Sequence, residues 1–215
     1  MKKIIRLLIC CLLFTSCVNQ PKTLGIDISH HNKLSDRDWE YFKKYDVKFV
    51  FIKASEGATF KDPARYKHFN KACDYGYDYK YGRYIGAYHF FRGDVPAEEQ
   101  YRNYDKATED MEIGLVPCID YEKEGFRKES EISRIRNLVK LCDLFWDKAG
   151  VRPLIYCNLI EYSKLKIFLP HNPFWIDSKS PDLGVGTVKQ TVRKVNNKMI
   201  DFNYCKNMDD ITFSD

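Results

Sequence analysis

From residue 24 onward, short apolar runs alternate with stretches whose apolar residues recur at helical spacing. Leu24-Gly-Ile-Asp-Ile-Ser29 reads as a strand, and the segment Asp36 to Tyr45 after it sets Trp39, Phe42 and Tyr45 at helical intervals. Val47 to Lys53 is a second strand, followed by a helix beginning near Pro63, where a ring-fixed φ suits the first turn. A third strand lies within Tyr84 to Phe91, and the charged stretch Pro96 to Asp110 is helical in character. Leu115 to Glu122 forms a fourth strand. The best helix then runs from about Ser130 to Ala149 and stops at Gly150, with Ile132, Ile135, Leu138, Val139, Leu141, Cys142 and Phe145 forming a stripe suited to packing on a sheet. Arg152 to Cys157 is the fifth strand. Beyond it come a short helix near Ile160 to Phe168 and strands at Pro173 to Asp177, Gly186 to Val192 and Lys198 to Tyr204, with connections too short for full helices.

Strands alternating with helices imply parallel pairing and right-handed crossovers, because parallel neighbours need long connections. The pattern therefore predicts an α/β fold, a single (β/α)8-like (TIM) barrel with reduced helices after strand five. An open doubly wound sheet would want a Gly-rich phosphate loop after its first strand, and Asp27-Ile-Ser-His-His31 is not one.

The N-terminal residues stand apart from this pattern. Lys2, Lys3 and Arg6 precede the apolar run Leu7 to Phe14, which is too short to span a bilayer and has the layout of a signal peptide. It ends in Thr15-Ser16-Cys17, similar to a bacterial lipoprotein processing site in which the Cys becomes the lipid-bearing first residue. The expected organisation is a signal peptide at 1–16, lipidated Cys17 and a tether at 17–23, and the barrel domain at 24–215. The expected location is the cell envelope, lipid-anchored to a bacterial membrane and facing periplasm or exterior.

Composition narrows the chemistry. Of the 215 residues, 44% are hydrophobic and 30% charged, ordinary for one globular core. Removing residues 1–16 takes away three basic residues and no acidic ones, lowering the formal charge from +5 to +2. No basic stripe interleaved with aromatics remains, which argues against nucleic-acid binding. Five Cys remain after Cys10, Cys11 and Cys17, with no C-x-x-C spacing, so neither a full disulfide framework nor a Cys-rich zinc site is indicated. Cys118 and Cys157 read as buried small apolar residues.

Polar residues gather at the strand ends, where barrel enzymes keep their sites. These are Asp27, Ser29 and His30; Lys53, Ser55 and Glu56; Tyr88 and His89; Asp120 and Glu122; Tyr156 and Asn158; Trp175 and Asp177; and Asp201 and Asn203. Asp120 and Glu122 stand two apart, so they share a side of the strand with roughly 6.6 Å of rise between them. Two carboxyls in one cleft cannot ionise independently, and the less solvated one is pushed toward its protonated form. Glycosidic cleavage uses that division, with one carboxyl as proton donor and an ionised partner supporting the cationic transition state.

Gly25-Ile-Asp-Ile-Ser-His-His-Asn32, Ile52-Lys-Ala-Ser-Glu-Gly57, Gly86-Ala-Tyr-His-Phe90, Ile119-Asp-Tyr-Glu122, Ile155-Tyr-Cys-Asn158 and Ile200-Asp-Phe-Asn-Tyr204 resemble the successive strand-end motifs of glycoside hydrolase family 25. These are lysozymes (N-acetylmuramidases) that cut peptidoglycan between N-acetylmuramic acid and N-acetylglucosamine. The resemblance implies Glu122 as general acid, Asp120 as its ionised partner, and Asp27 and Asp201 completing an acidic floor. It places Tyr88, Tyr156, Trp175 and Gln190 in contact with sugar. It implies peptidoglycan glycan strands as partner, no cofactor and no metal, so His30, His31 and His89 read as neutral packing or hydrogen-bonding groups. Lys53 and Glu56 are expected to pair at the rim. The chain is expected to be a monomer.

Strand rise alone does not separate a retaining carboxyl pair, about 5–5.5 Å apart, from a wider inverting one. A D-x-E pair also resembles sites where the substrate's own N-acetyl oxygen attacks, and a substrate-assisted, retaining route is the expectation. Relatives usually carry W-Q-Y on a late strand, whereas Val188-Lys-Gln-Thr191 keeps only the Gln. The alternative reading is a non-catalytic glycan-binding surface lipoprotein, against which the four acids weigh.

Overall fold

The computed structural model describes residues 22–177 and 186–213. In chain order these form β1 (Thr23–Ile28), α1 (Asp36–Lys44), β2 (Phe49–Glu56), β3 (Phe60–Lys61), α2 (Arg65–Asp74), β4 (Tyr84–Phe90), α3 (Ala97–Thr108), β5 (Cys118–Asp120), α4 (Glu131–Ala149), β6 (Leu154–Asn158), α5 (Leu159–Leu165), β7 (Phe174–Asp177), β8 (Val188–Val195) and β9 (Lys198–Cys205). The proposed signal peptide and Cys17 lie outside the described residues.

The sheet closes on itself in the order β1-β2-β4-β5-β6-β7-β8-β9, with β9 returning to β1 and β3 added as a short antiparallel flap on the end of β2. This is an eight-strand barrel wrapped by helices. Each pair from β1 through β8 is parallel, as the sequence pattern predicts. The last strand differs. β9 runs antiparallel to both β8 and β1, because residues Asn196 and Asn197 at φ 47° and 67° turn the chain in a tight hairpin instead of a crossover. The barrel is therefore mixed, and Asp201 reaches the same end as Asp27 from the first half of its strand; the two are Cα partners.

Side-chain alternation sorts the core into an interior and two outer layers. Phe49, Phe51, Leu115, Leu154, Trp175, Val188 and Cys205 fill the barrel, and Ile211, after β9, helps to close its lower end. The opposite faces of the strands pack against helices: Ile26, Ile28, Val50 and Ile52 against Trp39 and Phe42 of α1, and Ile119, Ile155, Cys157 and Ile176 against Leu138, Leu141, Cys142 and Phe145 of α4. Ile132, expected in the α4 stripe, is 65% exposed, since it lies in the first turn beyond the sheet edge. Two phenylalanines fit in so narrow a barrel because β1 and β4 carry glycine beside them. A Cβ at Gly25 would sit 2.2 Å from the Phe49 ring and one at Gly86 2.5 Å from the Phe51 ring.

α4 starts at Ser130, whose hydroxyl accepts from Ser133 N at 3.2 Å, and ends at Gly150 with φ 69°. α5 starts directly at the end of β6, capped by the Asn158 side chain on Glu161 N at 2.9 Å. Both helices thereby begin at the end of the barrel where the parallel strands finish.

Candidate active site

At that end a cavity of about 190 Å³ opens along the barrel axis, lined by Asp27, Tyr88, Cys118, Asp120, Glu122, Tyr156, Trp175, Gln190 and Asp201. Each comes from an inward position of its strand: β1, β4, β5, β6, β7, β8 or β9. Glu122 lies just past β5, but its backbone stays extended at φ −123°, ψ 158°, so it keeps the alternation that aligns it with Asp120. All eight residues proposed from sequence for catalysis or sugar contact thus line one cavity.

The acids are held differently. Asp27 Oδ2 accepts hydrogen bonds from Asn203 Nδ2 at 2.9 Å and Gln190 Nε2 at 3.0 Å. Burial first, then the charge of Asp201, pushes its carboxyl up to about 7 in spite of those bonds. Burial also raises Asp201, with Asp177 adding to it. Asp120 is the most strongly affected: burial and then the neighbouring Glu122 drive it well above the ordinary carboxylate range, while Lys53 opposes them. Its Oδ1 is buried with no hydrogen-bond partner. Glu122 is raised by desolvation and then by Glu124, against the lowering influence of the Tyr156 hydroxyl.

Gln190 joins two sides of the cavity. Its Nε2 donates to Asp27 and its Oε1 accepts from the Tyr156 hydroxyl at 2.7 Å, which fixes the amide orientation. Tyr156 meets Trp175 edge to face at 5.1 Å, and Trp175 in turn packs on Phe51 at 5.3 Å. Trp175 is only 2% exposed, so it shapes the floor of the cavity more than it offers an open ring face. Tyr88, half-buried in the cavity wall, has its hydroxyl pushed well up by desolvation and by the Asp27 and Asp120 charges.

Other polar residues near the strand ends take different places. His89 alternates outward, fully buried between β4 and α3. Gln100 donates both amide hydrogens to the Arg92 and Val95 carbonyls, so its Oε1 accepts from His89 Nε2 at 3.0 Å, and His89 Nδ1 accepts from Ser55 Oγ at 2.8 Å. Burial holds this neutral imidazole down at about 4. His30 pairs with the buried Asp62 at 2.6 Å and stacks near His31, away from the acids. Among the described residues, no group of three or more His, Cys, Asp or Glu is arranged to hold a metal ion. Cys73, Cys118, Cys142, Cys157 and Cys205 are free thiols, and Cys118 and Cys157 are buried.

Lys53 and Glu56 do pair, at 2.8 Å, and Arg92 closes on the other Glu56 oxygen. Both cations flank the Phe90 ring, Lys53 at 4.6 Å and Arg92 at 4.9 Å. Asn203 is a site residue that the sequence reading left outside its set. Its signal was parity with Asp201, two positions earlier on the same face of β9.

The family model for glycosyl hydrolases family 25 matches residues 26–203. A family 25 glycosyl hydrolase from Bacillus anthracis superposes with a TM-score of 0.69 at 25% identity, covering 86% of this chain and 89% of that one. A muramidase from Acremonium alcalophilum gives a TM-score of 0.69 at 23% identity, over 85% of this chain and 93% of its own. The YegX protein of Escherichia coli CFT073 is 28% identical over 160 residues, 71% of this chain and 54% of YegX, so the chain spans about half the length of the curated relatives it matches. With the matched segment running from β1 through β9 and carrying every wall of the cavity, the chain belongs to the glycosyl hydrolases family 25.

Proposed function

We propose that this protein hydrolyses the β-1,4 bond between N-acetylmuramic acid and N-acetylglucosamine in peptidoglycan, by a substrate-assisted route that retains the anomeric configuration. The observation that carries the reading is the buried, unpartnered Asp120 Oδ1 in the wall of an acidic cavity. A lone buried acceptor is costly, and the N–H of a substrate acetamide is the donor that would satisfy it. Held in that way, the acetamide oxygen is aimed at its own anomeric carbon. Glu122, whose carboxyl desolvation and then Glu124 push toward the protonated form, donates its proton to the leaving oxygen. As the glycosidic bond breaks, the acetamide oxygen bonds to the anomeric carbon, and positive charge spreads over the ring that it forms. Burial favours the protonated form of Asp120, but the acetamide N–H on its oxygen and the positive charge growing beside it favour the ionised form, and in that form it stabilises the charge. Water then opens the ring, Glu122 taking its proton, and the acid pair returns to its starting state. Asp27 and Asp201 form the acidic floor, and Tyr88, Tyr156 and Gln190 would seat the sugars.

The same reading places the protein at the bacterial cell envelope, with residues 1–16 removed and Cys17 carrying the lipid. The spacing of the basic start, the apolar run and Thr15-Ser16-Cys17 supports this.

The test is digestion of purified cell walls. Wild type is expected to release reducing N-acetylmuramic ends as the β-anomer at short times, and Glu122→Gln to be about 10²–10⁴-fold slower. Walls whose muramic acid lacks the N-acetyl group should resist. Release of the α-anomer first, or equal cutting of deacetylated walls, would overturn the substrate-assisted route. Wall binding without any cutting by wild type would favour a glycan-binding protein.

A further inference from the structure

The large aromatic side chains left in solvent are divided unevenly between the two ends of the barrel. Tyr45, Tyr79, Tyr81, Trp146, Phe168 and Phe213 are 41% to 79% exposed, and all six belong to the end where the parallel strands begin. Tyr45 leads from α1 into β2, Tyr79 and Tyr81 precede β4, and Trp146 sits in the last turn of α4 before β6. Phe168 lies between α5 and β7, and Phe213 follows the Leu115–Thr212 bridge that precedes β5. At the catalytic mouth, Phe60 is the one exposed large aromatic among the described residues; Ile132, Leu159, Ile160, Val192 and Met199, exposed there too, are aliphatic.

Three of the closed-end rings also carry a cation. Lys44 stands 5.7 Å from the Tyr45 ring centre, Lys80 5.5 Å from Tyr79, and Arg152 4.8 Å from Trp146. Tyr and Trp beside Lys or Arg is the combination that settles at the headgroup level of a bilayer, with apolar ring bodies below and charged tips in water. The chain enters the barrel from this same end at Thr23. Cys17 lies six residues earlier, and an extended chain covers at most about 20 Å over that distance.

We infer that the closed end of the barrel is a bilayer-docking face, seated on the membrane that holds the lipid at Cys17, so that the catalytic mouth faces away from the bilayer toward the wall. The inference rests on the proposed lipid anchor and is independent of the hydrolytic mechanism. A short tether keeps the face close to the surface, and the aromatic rim fixes which side meets it. Without the rim, the same anchor would allow the mouth to roll against the headgroups.

The three tryptophans supply the test. Trp39 and Trp175 are 1% and 2% exposed, whereas Trp146 is 48% exposed, so quenchers outside the fold read Trp146. The lipid-modified chain is reconstituted through its anchor into phosphatidylethanolamine/phosphatidylglycerol vesicles with or without brominated acyl chains, and Trp146→Phe assigns the signal. The expected result is loss of most Trp146 emission to the bromines and shielding from aqueous acrylamide, with Tyr81→Ser plus Phe168→Ser reducing both effects. A vesicle-bound chain whose Trp146 ignores the bromines and remains open to acrylamide would overturn the docking face and leave the anchor standing. A chain whose Cys17 carries no lipid and which stays in solution would overturn the anchor and the docking face together, with wall hydrolysis unaffected.

Discussion

Tyr156 shows how a single hydroxyl couples the two halves of the acid cluster. It donates its one hydrogen to Gln190 Oε1, and its nearness to Glu122 draws that carboxyl down while burial draws it up. Tyr156→Phe removes that downward pull together with the hydrogen bond to Gln190, so Glu122 should keep its proton to higher pH. The alkaline limb of kcat/KM on cell walls is expected to move to higher pH, with a loss of about three- to tenfold on the plateau from the missing hydrogen bond. A limb that moves to lower pH would contradict this placement. Gln190→Glu is a harsher change at the same junction. It sets a carboxyl 3.0 Å from Asp27 Oδ2, where the amide now donates, and two acids at that separation cannot both ionise. A greater loss than for Tyr156→Phe is expected, with partial recovery at acidic pH where one of the two is protonated.

Among the elements, the β8–β9 hairpin is the one that departs from a regular barrel, and α1 holds it in place. Asp38, buried in α1, accepts from the backbone N and hydroxyl of Ser35, both at 2.7 Å, and from Asn196 Nδ2 at 2.9 Å, and it pairs with Lys198. Burial pushes its carboxyl up, but the hydrogen bonds, that from Lys198 first, outweigh this and hold it at about 2. A folded-state value below the ordinary one gives stability that is present above about pH 4 and is lost as pH falls through about 2. Asp38→Ala is expected to cost about 1–3 kcal/mol in urea unfolding at pH 7, and less near pH 2. Because Gln190 and Asp201 ride on the same hairpin, activity should fall as well. Most of this architecture could be read from the sequence, since the period-3.6 stripes of α1 and α4 and the alternation in β1, β2, β4 and β6 are local patterns. The direction of β9 could not, because the strand patterning is the same for either direction. The adjacent Asn196 and Asn197, residues tolerant of positive φ, were the available signal for a hairpin. The cavity was legible in the same local way: Asp120 and Glu122 by their spacing on one strand, and Asp27, Tyr88 and Tyr156 by their strand-end motifs and the family resemblance these carry, whereas the Asp38 latch needed tertiary contacts.

For the molecule as a whole, gathering acids on the barrel axis sets stability against site chemistry. Asp27 has a folded-state value of about 7 against an ordinary value near 3.9, so between those two the folded chain binds more protons than the unfolded one and stability falls as pH rises. Asp120, Glu122 and Asp201 lean the same way. His89 opposes them. Held neutral with a folded value of about 4 against an ordinary 6.5, it gives stability that is present above about pH 6.5 and is lost as pH falls toward 4. The wild-type curve mixes both slopes, and differences between variants separate them. Asp27→Asn keeps an oxygen for the Asn203 and Gln190 donors and removes the charge. It should match wild type near pH 4 and gain on the order of 1–3 kcal/mol by pH 8, a few degrees in Tm for a chain of this size. His89→Gln, measured against wild type, should improve in the opposite direction, as pH falls from about 6.5 to 4. Calorimetric scans across that range decide the matter. If the Asp27→Asn difference is flat with pH, that carboxyl is already ionised in the folded barrel, and the acidic floor attracts cationic transition-state charge without burdening the fold.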